Sequence, residues 1–148
     1  MSETRETLTT ENRLLAALAH GSVVVQGFGL LVGVPVYVSQ RDKSRYAAHQ
    51  ALQAAVYQLV NLIIIGALWV IWGVFYAFSI TTMFNQPRDA TPPPMFMVSL
   101  GATLVPLVLM LGVDVFGLWA ALSTWRGRDF RYPLLGGWLD RSGLWNDR

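Results

Sequence analysis

"AAVYQLVNLIIIGALWVIWGVFYAFSIT", Ala54 to Thr81, contains no charged residue, and its reading decides the fold. As an α-helix the stretch reaches about 40 Å, against a bilayer hydrocarbon core of about 30 Å. It therefore predicts a membrane span that tilts or projects beyond the core. Trp69, Trp72, Phe75, Tyr76 and Phe78 crowd its second half. Such rings suit either a headgroup layer or a packing stripe against other helices.

Outward from this stretch the same pattern recurs. Leu14 to Ser39, Leu52 to Ile80 and Met95 to Thr124 are all apolar windows longer than the roughly 20 residues a span requires. The whole chain is 53% hydrophobic and only 14% charged, where soluble domains carry roughly 25% charged residues. The charges gather in the first dozen residues, one middle loop and the tail. Between the second and third windows, "NQPRDATPPP" (Asn85 to Pro94) places four prolines together and must be a loop, because proline lacks the amide proton a helix uses. Pro106 is tolerable within the third window but should kink it near Ala102 and Thr103.

The first window has two readings. Thr9 or Thr10 can cap a helix that begins around Glu11, but "QGFGLLVGVP" follows, where Gly27, Gly29, Gly33 and Pro35 weaken a continuous helix. The window is either one kinked span or a pair of half-helices, each of about a dozen residues, that enter the membrane and return. The expected fold is thus all-α: a polytopic membrane protein of two long spans plus a glycine-broken first segment. Its parts are a flexible N-terminus at 1–10, a membrane domain at 11–135 and an interfacial tail at 136–148. "MSETRETLTTENR" lacks the basic start and the cleavage site of a secretory signal and is expected to be retained.

Positive residues in short loops mark the cytoplasmic side. Arg41, Lys43 and Arg45 follow the first window, and Arg126, Arg128, Arg131, Arg141 and Arg148 follow the third, whereas the loop between spans holds only Arg88. Residues 40–51 and the C-terminus are expected in the cytoplasm, with the protein in a bacterial inner (plasma) membrane. The N-terminus joins them in the re-entrant reading and lies outside in the spanning one. In "GRDFRYPLL" (127–135) and the two residues before it, Trp125, Phe130 and Tyr132 read as interface rings, while Arg126, Arg128 and Arg131 can reach anionic headgroups, each contributing about 1 kcal/mol.

Three stretches, "LLAALAH" (14–20), "VPVYVSQRDKSRYAAHQAL" (34–52) and "GRDFRYPL" (127–134), occur in the order seen in the bacterial Tic-twenty-like proteins. The chain resembles that family from Leu14 to about Leu135. The family is named for its similarity to a chloroplast inner-envelope translocon subunit. The resemblance rests on His20, Pro35, Asp42 to Ser44, His49 to Leu52, and Arg131 to Pro133. It implies four membrane helices with both ends on one side, and no activity. The chain departs from the family's Asn-Phe-Gln run at Gln53, Ala54 and Ala55.

Few residues carry chemistry. Asp114 lies deep in the third window, where a carboxylate costs roughly 2.5–3.5 kcal/mol on insertion scales. It should face protein, with Tyr57 and Gln58 at comparable depth. A buried polar layer of Asp114, Tyr57, Gln58, His20, His49 and Gln53 is expected, read either as structural hydrogen bonds or as a proton or ion relay. His20 and His49 are the only histidines and lack the spacing of a metal site, although a pigment or haem ligand is an alternative role. Gly29 with Gly33, and Gly117 with Ala121, form small-residue pairs that let helices approach closely, within the domain or between copies of the chain. With no cysteine there is no thiol chemistry, and a net charge of +2 gives no reason to expect nucleic acid. No nucleotide loop, nucleophile with base or paired carboxylates occurs, so neither an enzyme nor a cofactor or metal is expected.

The expected function is that of a small membrane protein working through helix contacts as an accessory subunit or assembly factor, including a role in translocation. Its expected partners are the bilayer, other membrane subunits and further copies of itself. A small transporter or channel using Asp114 is the alternative from another class.

Overall fold

The computed structural model describes residues 8–25, 29–87, 90–133 and 135–141. Every regular element among them is helical. The order is α1 (Thr10–Gly21), a short 3-10 turn (Ser22–Val24), α2 (Leu30–Gln40), α3 (Arg45–Phe84), α4 (Pro94–Ala102), α5 (Leu104–Trp125) and α6 (Leu135–Arg141). Contacts divide the chain into one unit of Met1–Val60 with Val113–Arg148 and another of Asn61–Gly112.

Local chemistry sets the helix ends. The Thr9 hydroxyl accepts from the Asn12 amide at 3.2 Å and caps α1. Ser44 does the same for α3, accepting from the Ala47 amide at 3.2 Å. Pro94 sits in the first turn of α4, where its missing N–H leaves no bond unmade. The glycine-broken first window forms two separate helices, α1 and α2, which contact one another. The interruption falls between Val24 and Leu30, while Pro35 stays inside α2.

Helix α3 and the interrupted pair α4–α5 are each long and apolar enough to cross a membrane. Large apolar side chains on them point outward: Ile63, Val70, Ile71, Val74, Leu104, Val108 and Leu111 are all more than 60% exposed, the kind of surface that marks a membrane or protein contact. The aromatic crowd of the second unit serves as a packing stripe. Trp69 meets Trp72 edge-on at 5.2 Å, Trp72 stacks on Tyr76 at 4.9 Å, and Tyr76 stacks on Phe96 at 6.4 Å. Phe78 is exposed.

The helix breaks at Thr103, three residues before Pro106. The Thr103 amide turns to Leu100, leaving the Ser99 carbonyl without its regular backbone donor. The Thr103 hydroxyl at 3.2 Å and the Trp72 indole N–H at 3.1 Å both donate to that carbonyl instead. Side chains thus repair the ladder at the break.

The first unit holds the buried core. Ala16, Ala19, Ala47, Ala48, Ala51, Ala54 and Ala120 are nearly or fully inaccessible, and their small side chains bring the helices close together. As far as residue 141 the expected tail is the short helix α6. Leu139 of α6 is buried and Gly136 packs against Arg131 and Gln53. Trp138 is exposed. Residues 1–7 of the expected N-terminal segment and 142–148 of the expected tail lie outside the described residues.

Candidate functional site

The first unit brings together side chains from three distant parts of the chain. His20 comes from the last turn of α1, Gln50 from the second turn of α3, and Asp129 to Tyr132 from the segment after α5. Gly127 makes the last of these possible: its φ of +75° lets the chain leave α5 in the left-handed region that other residues resist. The Tyr46 hydroxyl then reaches the carbonyls of Thr124 and Arg128 at 3.2 and 3.0 Å and ties the reversal to α3.

The acceptors fix the direction of every proton in this group. The Gln50 amide nitrogen donates to Asp129 Oδ1 at 2.7 Å and to the Phe130 carbonyl at 3.1 Å, and neither of those can donate. Gln50 Oε1 therefore faces His20, which donates from Nε2 at 3.0 Å. In that tautomer Nδ1 is bare, and it accepts the Tyr132 hydroxyl at 2.9 Å. His20 and Gln50 are fully buried and Tyr132 is 2% exposed, so water does not compete. Both ring nitrogens of His20 are engaged in hydrogen bonds.

Aromatic rings close the group from the side. Tyr132 stacks on Tyr57 at 4.1 Å, nearly parallel, while Phe130 meets Tyr132, His20 and Phe116 edge-on at 5.1 to 5.8 Å. Burial, and then the neighbouring Tyr57, push the Tyr132 hydroxyl well above the ordinary tyrosine range. It stays protonated and serves as a donor.

The six residues expected as one polar layer fall into several small groups. Gln53 Nε2 lies 3.1 Å from His49 Nδ1, and Gln53 Oε1 accepts from the Tyr132 amide at 3.4 Å, so this pair adjoins the His20 group. Gln58 donates to the Ala19 carbonyl and the Ser22 hydroxyl at 3.0 and 3.1 Å. The Tyr57 hydroxyl donates to the Val113 carbonyl at 3.3 Å, and Asp114 follows, half-buried on α5. Among the described residues, Gln58 Oε1 and Arg13 Nε are the buried side-chain atoms without a hydrogen-bond partner.

Of the residues assigned to the interface, Trp125, Arg126, Arg128 and Arg131 are exposed and Phe130 is half-buried. Tyr132 instead faces protein, because the turn at Gly127 folds its ring inward. The small residues pack within the unit: Gly33 lies against Ala55, Gly29 against Gln58, and Ala121 against Gly21. Gly117 is also a close approach, since a Cβ there would collide with Val23 and come within 3.4 Å of the His20 carbonyl. Sequence reading missed Gln50, Phe116 and Tyr46. The visible signal was that "LLAALAH", "AAHQAL" and "FRYPL" each place a hydrogen-bonding side chain beside apolar neighbours.

What the arrangement does chemically is hold. Its protons are ordered and its donors matched, and no group of three or more metal-ligating side chains occurs among the described residues. A family model described as the magnetosome magnetite crystal formation protein family (MamF/MmsF) matches residues 11–139. This overturns the resemblance to Tic-twenty-like proteins: the ordered motifs belong to a different family, and the translocon association goes with the name. Neither a curated protein nor a solved structure matches the chain.

Proposed function

The chain belongs to the MamF/MmsF family of magnetosome magnetite crystal formation proteins, and from that premise we propose that it is a small integral membrane protein of the compartment in which the crystal grows. It acts there through helix contacts, as an accessory or assembly component and not as an enzyme, with lipid and other membrane proteins as its partners. The family match over residues 11–139 carries this reading. Two features of the fold support it. The outward surfaces of α3 and α4–α5 are apolar over most of their length, and the polar side chains of the first unit are turned inward and largely matched to one another. Residues 40–51 and the segment after α5 face the cytoplasm, because the excess of arginine and lysine lies there.

The test is genetic. Deleting the coding sequence from a magnetite-forming bacterium should alter the number or size of crystals seen by electron microscopy, and the intact chain should restore them. Unchanged crystals in the deletion strain would refute the reading.

A further inference from the structure

In the first unit runs a groove of about 450 Å³, lined by Leu14, Ala17, Leu18, Gly21, Val32 and Trp125 with Ser22 as its one hydroxyl residue. We propose that it holds one acyl chain of an anionic phospholipid whose phosphate is received by Arg13. The proposal rests on the chain residing in a bilayer and not on its part in crystal formation.

Arg13 immediately precedes Leu14 of the groove lining. It precedes Ala17 by one helical turn on α1, so the two share a side of the helix. Its guanidinium lies over Gly127, two residues beyond Trp125: a Cβ at Gly127 would come within 3.1 Å of Nε and 3.2 Å of Cζ. Nε is sealed there without an acceptor, and no hydrogen bond to the guanidinium occurs among the described residues. The carboxylate of Asp129 is engaged by Gln50 at 2.7 Å and Arg131 at 3.2 Å. Nε is closed off against Gly127, so the two terminal amino groups of the planar fork are the ones that would meet a phosphate.

Charge and apolarity select the lipid together. Arg126 and Arg128 are exposed on the same turn and add positive potential where the headgroup would sit. A free phosphate would satisfy Arg13 but leave the groove unfilled, and a zwitterionic lipid would fill the groove with a headgroup of no net charge.

The full chain, delipidated in maltoside detergent, is mixed with dioleoyl phosphatidylglycerol, dioleoyl phosphatidylcholine or inorganic phosphate and weighed by native mass spectrometry. One phosphatidylglycerol should bind in preference to phosphatidylcholine. Arg13→Gln should reduce that preference about fivefold, the worth of one arginine near an anionic surface. Ala17→Phe, which fills the groove and leaves Arg13 in place, should reduce binding of both lipids. Should Arg13→Gln prove misfolded by circular dichroism, Arg13→Lys and Ala17→Phe decide, the former retaining part of the preference. The proposal fails if the preference survives Arg13→Gln or moves with Arg126→Gln and Arg128→Gln instead. It fails equally if Ala17→Phe binds phosphatidylglycerol as the parent does, or if inorganic phosphate displaces the lipid at equal concentration.

Discussion

Replacing Tyr132 by phenylalanine removes one oxygen and leaves the ring stack with Tyr57 intact. The hydroxyl is the donor to His20 Nδ1 at 2.9 Å, in a site where His20 is fully buried. Without it a lone pair is left with neither protein nor water. An unsatisfied buried acceptor costs about 1–3 kcal/mol in proteins, whereas hydrogen bonds between membrane helices average only about 0.6 kcal/mol because the unfolded state in lipid finds other partners. His20 is held by Gln50 on its other side and cannot turn to a new partner, so the first figure governs, and a loss of about 1–2 kcal/mol is expected. Unfolding by sodium dodecyl sulfate in maltoside micelles, followed by far-ultraviolet circular dichroism, reads it. The pair with His20→Leu sharpens the test. His20→Leu alone strands the Tyr132 hydroxyl, so adding Tyr132→Phe should cost nothing further or recover stability. Additivity of the two changes to within about 0.5 kcal/mol would refute the ordered chain of donors.

Three further outcomes follow from the same geometry. The raised pKa of Tyr132 means that the folded state keeps a proton the unfolded state gives up near pH 10, so this group's stability is complete below about pH 10 and is lost as pH rises toward the folded value, at up to about 1.4 kcal/mol per pH unit. Tyr132→Phe should flatten that decline in alkaline unfolding curves. Gly117→Leu should destabilise by about 1–3 kcal/mol through collision with Val23 and the His20 carbonyl, and Val23→Ala should recover part of the loss; an unaltered unfolding midpoint for Gly117→Leu would disprove the close approach. A cysteine replacing the exposed Lys43 should react with impermeant maleimide only when the cytoplasmic face is opened, and labelling of intact cells from outside would reverse the topology.

The two long apolar helices were legible because Ala54 to Thr81 holds no charge and Met95 to Thr124 only Asp114, and Pro106 announced the break at Thr103 through its missing amide proton. The first window yielded only a choice between two readings, since three glycines and a proline weaken a helix without saying where it ends. The structure puts the interruption between Val24 and Leu30 and leaves Pro35 inside α2. The site was less legible. Tyr132 sits among arginines after an apolar run, the context of a headgroup anchor, and only the reversal at Gly127 turns it inward. Gln50 reads as one more polar residue at a helix start until its partners, about 80 residues away in sequence, are in place. Such long-range pairings leave no periodicity for a local pattern to reveal. The family went astray for a related reason: short motifs, each weak by itself, do not separate one family of apolar helical proteins from another.

The bond between His20 and Tyr132 spans 112 positions, and that between His20 and Gln50 spans 30. A ribosome adding about 5–20 residues per second supplies Tyr132 roughly 4–16 s after Gln50. Throughout that interval α1 and the start of α3 must wait in or beside the bilayer with His20 and Gln50 lacking the partners that order them. The lock closes only after the last span has been delivered, which makes it a signature of completed synthesis. A chain arrested before Tyr132 would present polar groups to lipid that the finished chain conceals, and so would differ from it in the one property that membrane quality control can sense directly.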